Sequence, residues 1–154
     1  MLSQVENETI PCVLNADYAI TEYRDPQDRP YWLVGSKKPL PVSGTTNLSW
    51  LEWDHNEVYL SLRETGSVAA LLKHMLGILR FWEDEMKQNA PDVSFCMIAS
   101  YDYGEPDEED GVEPSVTLRF WADRGDPSVA DTENPEHYAQ PVLVHYVSKA
   151  AQRN

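Results

Sequence analysis

The fourteen residues from Tyr101 to Pro114, YDYGEPDEEDGVEP, carry seven carboxylates and no base. Clustered carboxylates serve three kinds of chemistry: cation binding, general acid–base catalysis and recognition of a basic partner. A calcium loop of the EF-hand type needs glycine at its sixth position, oxygen ligands at the first, third and fifth, and glutamate at the twelfth. With Gly111 in the sixth place, Pro106 stands at the first and Thr117 at the twelfth. That spacing fails, and no metal is expected. Acid–base catalysis needs two carboxyls whose surroundings separate their proton affinities. Adjacent acids in a polar loop are solvated alike, so each stays ionised. Recognition remains.

The other reactive side chains add no chemistry. His55, His74, His137 and His145 include no pair spaced four residues apart and no HExxH pattern. Ser43 and Ser100 lack the strand–turn–helix setting of a nucleophile elbow. Cys12 and Cys96 are too few and too far apart for a disulfide framework or a zinc site, and both are expected as buried free thiols. No catalytic residue, metal or cofactor is expected, and the chain reads as a non-enzyme.

Charge sharpens the partner. The net charge is −14, and residues 102–136 hold twelve acids against only Arg119 and Arg124. A nucleic-acid binder needs a basic footprint, and an anionic membrane would repel this chain. A basic protein is the expected partner. The expected contact surface comprises Asp102, Glu105, Asp107, Glu108, Glu109, Asp110 and Glu113, with Trp121 as an exposed aromatic anchor. Asp123, Asp126, Asp131, Glu133 and Glu136 extend the excess beyond a solubilising tip. Such a field makes the folded chain repel itself, a cost that a use for the field offsets.

The elements that position these acids follow from periodicity. Val68, Leu71, Leu72, Met75, Leu79, Trp82 and Met86 recur at helical spacing, with Lys73, Gly77, Arg80, Asp84 and Lys87 opposite. Thr65 or Ser67 is placed to cap this helix, and Pro91 to stop it. Val93, Phe95, Met97, Ala99 and Tyr101 alternate, as do Val116, Leu118 and Phe120, which predicts a long hairpin with the acids at its tip. Strands are also expected in Pro11–Tyr23, at Tyr31–Val34, at Leu48–Trp53 paired with Val58–Leu62, and at Pro141–Val147. In a strand, Trp50 and Trp53 point to opposite faces, one of them into the core. The fold class is therefore α+β: an antiparallel sheet of about five to seven strands against one long helix at about residues 66–89.

A length of 154 residues suits a single domain, 1–154. The apolar run Val68–Trp82 is broken by Lys73, His74 and Arg80, and the start, MLSQVENETIPC, lacks a signal peptide's basic and apolar regions. A cytoplasmic protein is expected. The Pro141–Val147 edge offers a pairing surface to a second copy, so a homodimer is one expectation for its assembly.

In size, acidity and lack of a catalytic motif the chain resembles the small bacterial immunity proteins that neutralise contact-delivered or secreted toxins. The likeness spans the whole chain in character and assigns no residue a role. It implies a single cognate partner, a cationic toxin with nucleases among the candidates, and action by binding alone. The alternative reading is a binding or adaptor module that uses an exposed aromatic surface. A third is a small-molecule enzyme with a histidine-lined pocket.

Overall fold

A computed structural model describes residues 17–35, 38–105 and 111–151. The fold is α+β. Its described elements run β1 (Ile20–Arg24), β2 (Pro30–Val34), α1 (Leu48–His55), β3 (Val58–Ser61), α2 (Leu62–Thr65), α3 (Val68–Asn89), β4 (Phe95–Asp102), β5 (Ser115–Ala122), a 3₁₀ turn (Pro135–His137) and β6 (Val142–Val147). The six strands form an antiparallel pair, β1-β2, and a four-stranded antiparallel sheet in the order β3-β5-β4-β6.

Strand alternation sorts the sheet into two faces. Phe95, Met97, Ala99, Val116, Leu118 and Phe120 point toward α3 and form the main core with its Leu71, Ile78, Trp82 and Met86. Trp82 meets Phe120 edge to face at 4.9 Å between ring centres, and its indole N–H donates to the Tyr18 carbonyl. Cys96, Ile98 and Trp121 occupy the opposite face and pack with Val129 in a smaller cluster. Apolar burial there pushes the Cys96 thiol up to about 12, as an inert buried thiol requires. Cys12 lies outside the described residues.

The helix α3 begins where Ser67 accepts a hydrogen bond from the Ala70 amide, and it ends at Ala90 before Pro91. Its buried face is rotated from the expected stripe. Gly77 is buried, whereas Val68, Leu72 and Leu76 are exposed, because the sheet receives the row Leu71–Ile78–Trp82. Thr65 instead belongs to α2, a single turn closed by the Ser61–Glu64 capping box and by Gly66 in the left-handed region.

Residues 48–53, expected as a strand, form the helix α1, so the hairpin expected with 58–62 does not exist. Asn47 caps α1 by accepting from the Ser49 and Trp50 amides. The decisive stripe is polar. Ser49, Glu52 and Asn56, spaced three and four apart, are each at most 1% exposed. In β2 the odd residues pair with β1, which leaves the amides of Trp32 and Val34 and the carbonyl of Trp32 facing away. Glu52 Oε1 accepts from the Trp32 amide at 3.0 Å. Asn56 Oδ1 accepts from the Val34 amide at 2.9 Å, and its Nδ2 donates to the Trp32 carbonyl at 2.8 Å. The same side chains reach β5 beyond the end of β3. Glu52 Oε2 accepts from the Ala122 amide at 2.8 Å, Asn56 Nδ2 donates to the Phe120 carbonyl at 3.3 Å, and Ser49 donates to the Ala122 carbonyl at 3.1 Å. One face of α1 thus joins the two sheets through side-chain hydrogen bonds that replace a ladder. A strand could not present those groups, since its side chains repeat every second residue.

Candidate partner-binding face

The acidic hairpin is built as expected. The β4 and β5 strands pair from Phe95↔Ala122 to Asp102↔Ser115. Beyond them the Glu105 amide donates to the Val112 carbonyl at 2.8 Å. Gly104 makes this closure possible: its φ is 72°, and a Cβ there would stand 2.1 Å from the Val112 carbonyl oxygen.

Residues 123–140 form a strap from the far end of β5 back to the start of β6, across the face that carries Trp121. The Asp123 amide donates to the Ser94 carbonyl at one end. At the other, Gln140 Nε2 donates to Asp102 Oδ2 at 2.7 Å, tying the strap to the hairpin base. Between them, carboxylates of the strap make its turns. Asp123 accepts from the Gly125 amide, Asp126 from the Ser128 amide and hydroxyl, and Asp131 from Asn134 and the His137 ring. Asp123, Glu133 and Glu136 remain exposed. Asp123, Asp126, Asp131 and Glu133 gather around Trp121 and Tyr146, and the hairpin acids stand at the other end of the same strand pair.

The bases in this region do not neutralise it. Arg124 turns inward and binds Glu52 through two parallel 2.8 Å bonds. Arg119 donates to the Trp53 carbonyl at 2.7 Å and pairs with Glu57, and its guanidinium lies 4.9 Å from the Trp53 ring centre. Both arginines of the acidic stretch are thus held by acids outside it. Among the described residues, its own acids pair only through Arg63, 3.8 Å from Glu113, and through His137.

Two strap carboxylates are held in the charged form by hydrogen bonds. Hydrogen bonds from Ser128 and Asn47 lower Asp126, and hydrogen bonds from Asn134 and His137 lower Asp131, each from an ordinary 3.8. A carboxylate lowered in the folded chain stabilises it above the ordinary value, and that contribution is lost as pH falls through the lowered one. Carboxyl-carbon NMR titration should therefore give both residues midpoints below 3.8. A midpoint above that value in either would contradict the turn geometry.

Of the expected contact residues, Asp102 is half-buried, bonded to the Gly104 amide and Gln140, while Glu105 and Glu113 are exposed. Asp107, Glu108, Glu109 and Asp110 lie outside the described residues. Trp121 is corrected: it is 5% exposed, covered by the strap and stacked edge to face on Trp53 at 5.2 Å, so it is no exposed anchor. Tyr103, 65% exposed at the hairpin tip and T-stacked on Tyr101, is the aromatic that stands among the acids. Its signal was in the sequence, since it is the odd member of a YDYG run after an alternating strand.

Trp50 and Trp53, three apart on a helix, lie on neighbouring rather than opposite faces. Trp50 is 39% exposed and donates to the Ser128 hydroxyl. Trp53 lines a cleft of about 460 Å³ with Glu57, Arg119, Tyr138 and Gln140 over an Ile98 floor. A second cleft of about 450 Å³ lies between Trp121, Asp123, Asp131, Glu133 and Tyr146. Neither cleft is lined by a histidine. No described helix is long and apolar enough to cross a membrane. No protein-family model, curated protein or solved structure matches the chain.

Proposed function

We propose that this protein is a binding inhibitor of a basic protein, an immunity protein that neutralises a cationic toxin in the cytoplasm by occupying the ground nucleic-acid phosphates would otherwise take. One observation supports this reading above the rest. The two arginines of the acidic stretch are drawn away by Glu52 and Glu57, which leaves the described strap and hairpin carboxylates, apart from Glu113 beside Arg63 and Asp131 beside His137, without a base. A face of this kind steers a cationic partner into contact, and aromatic side chains then hold it. Tyr103 is placed to act as that hold. Its replacement by alanine should weaken the complex by about 2 kcal/mol, the scale of an interface hot spot, without altering thermal stability.

The experiment is capture at low salt from cells that co-express the product of the neighbouring open reading frame. The wild-type chain should retain one basic protein. A variant with Asp102, Glu105, Asp107, Glu108, Glu109, Asp110 and Glu113 changed to their amides should lose it. Equal recovery by both would reject the acidic surface as the contact.

The aromatic cleft carries the second reading, a binding or adaptor module. Its Trp53 and Tyr138 walls and Ile98 floor offer an apolar seat that needs no field. Under that reading Tyr138→Ala abolishes capture while the amide variant retains it.

A further inference from the structure

Among the described residues, β6 has one partner strand, β4, and its other edge is unpaired. The Tyr101 amide donates to the Pro141 carbonyl, which fixes the phase of this pairing. Residues 143, 145 and 147 direct their backbone groups to β4, so Val142, Val144 and Tyr146 direct theirs to the free edge. No described residue bonds to those outward groups. Natural edges are blunted by lysine, proline, bulges or brevity. VLVHYV has none of these within its six residues, and Leu143 and Tyr146 beside the edge are 45% and 51% exposed. The β1 strand, by contrast, carries Glu22 and Arg24, and β3 has only four residues.

We propose that this edge pairs with a second copy of the chain, β6 against β6 in antiparallel register, joining two four-stranded sheets into one. Charge selects the occupant. Residues 137–154 contain no acid in a chain of net charge −14. The edge strand thus offers a cationic protein no carboxylate of its own, and two copies paired there bring no acids of the strand together. The acids nearest it are partly answered: Glu83 by Lys87 and His145, and Asp131 by His137. Asp123, Asp126 and Glu133, which share a cleft with Tyr146, have no ion-pair partner among the described residues. A twofold axis at Val144 gives the greatest overlap, setting Val142 against Tyr146 of the other copy and Val144 against itself, the self-complementary arrangement of an isologous dimer.

This inference is independent of the toxin reading, and salt separates them. Screening relieves repulsion between two like-charged copies, so the dimer strengthens with salt, whereas capture of a cationic partner weakens. Sedimentation velocity on the full chain should give twice the 17.6 kDa monomer mass, with the dimer share rising with salt. Val144→Pro removes the central N–H and should give a monomer. Should that variant misfold, Leu143→Lys with Tyr146→Lys tests the same edge from exposed positions. In a Cys12→Ser background, Val144→Cys should form a covalent dimer under mild oxidation, because paired residues on the axis stand about 5.5 Å apart at Cα. A wild-type monomer at every salt concentration would overturn the proposal and leave the edge to residues 1–16 or a foreign strand. A dimer unmoved by either edge variant would overturn it equally.

Discussion

Glu52→Ala should destabilise the protein by about 3–5 kcal/mol, the cost of breaking a buried charge pair from one side. The Glu52 carboxylate is fully buried and receives four donors: the amides of Trp32 and Ala122 and both terminal nitrogens of Arg124. Burial pushes its carboxyl upward from the ordinary value, while Arg124 and the amides oppose that shift. Alanine removes the acceptor and leaves a guanidinium and two amides without it in a water-poor seam. It also detaches one of the side chains through which α1 bridges β2 and β5. Domains of this size have about 5–15 kcal/mol of total stability, so the loss should be visible as a large drop in the urea midpoint. Glu52→Gln, which keeps the shape and one oxygen acceptor, should lose less, and Glu52→Ala with Arg124→Ala should recover part of the deficit by removing the orphaned charge. A loss below about 1 kcal/mol for Glu52→Ala, the worth of a surface pair, would mean that the seam does not hold the sheets together.

Neutralising the seven hairpin acids should slow association with the proposed basic partner by about 10- to 100-fold while changing dissociation much less. Long-range attraction acts before contact, so removing it reduces productive encounters without removing the packing that resists separation. Among the described residues of this set, Asp102 accepts from Gly104 and Gln140, and Glu113 stands near Arg63. Amide replacements retain acceptors at both sites, so the fold should survive. Strap variants at Asp126 or Asp131 mix two effects, because those carboxylates also close turns. Asp123→Asn, Glu133→Gln and Glu136→Gln are cleaner probes of that border.

The elements legible in the sequence are those whose burial follows one local period. The β4–β5 hairpin alternates cleanly because one of its faces meets α3, and α3 shows a helical stripe because it meets one sheet. The seam was illegible for the opposite reason. Ser49, Glu52 and Asn56 look like a solvated surface, and their partners at Trp32, Val34, Phe120 and Arg124 lie far away in the chain. Buried polar groups follow hydrogen-bond geometry rather than hydrophobic pattern, so the apolar and aromatic residues of 48–53 read as a strand. Trp121 failed similarly. Alternation places it opposite Phe120, but only the path of residues 123–140 covers that second face. The candidate surface was legible as composition, whereas the inward turn of Arg119 and Arg124 was not.

The most direct test of the acidic face is the salt dependence of association, measured by stopped flow with the captured partner for the wild-type chain and the seven-amide variant. The wild-type rate constant should fall steeply as ionic strength rises, and the variant's should be low and nearly flat, the two converging at high salt. Equal rates and equal slopes for both proteins would contradict a role for the acidic face.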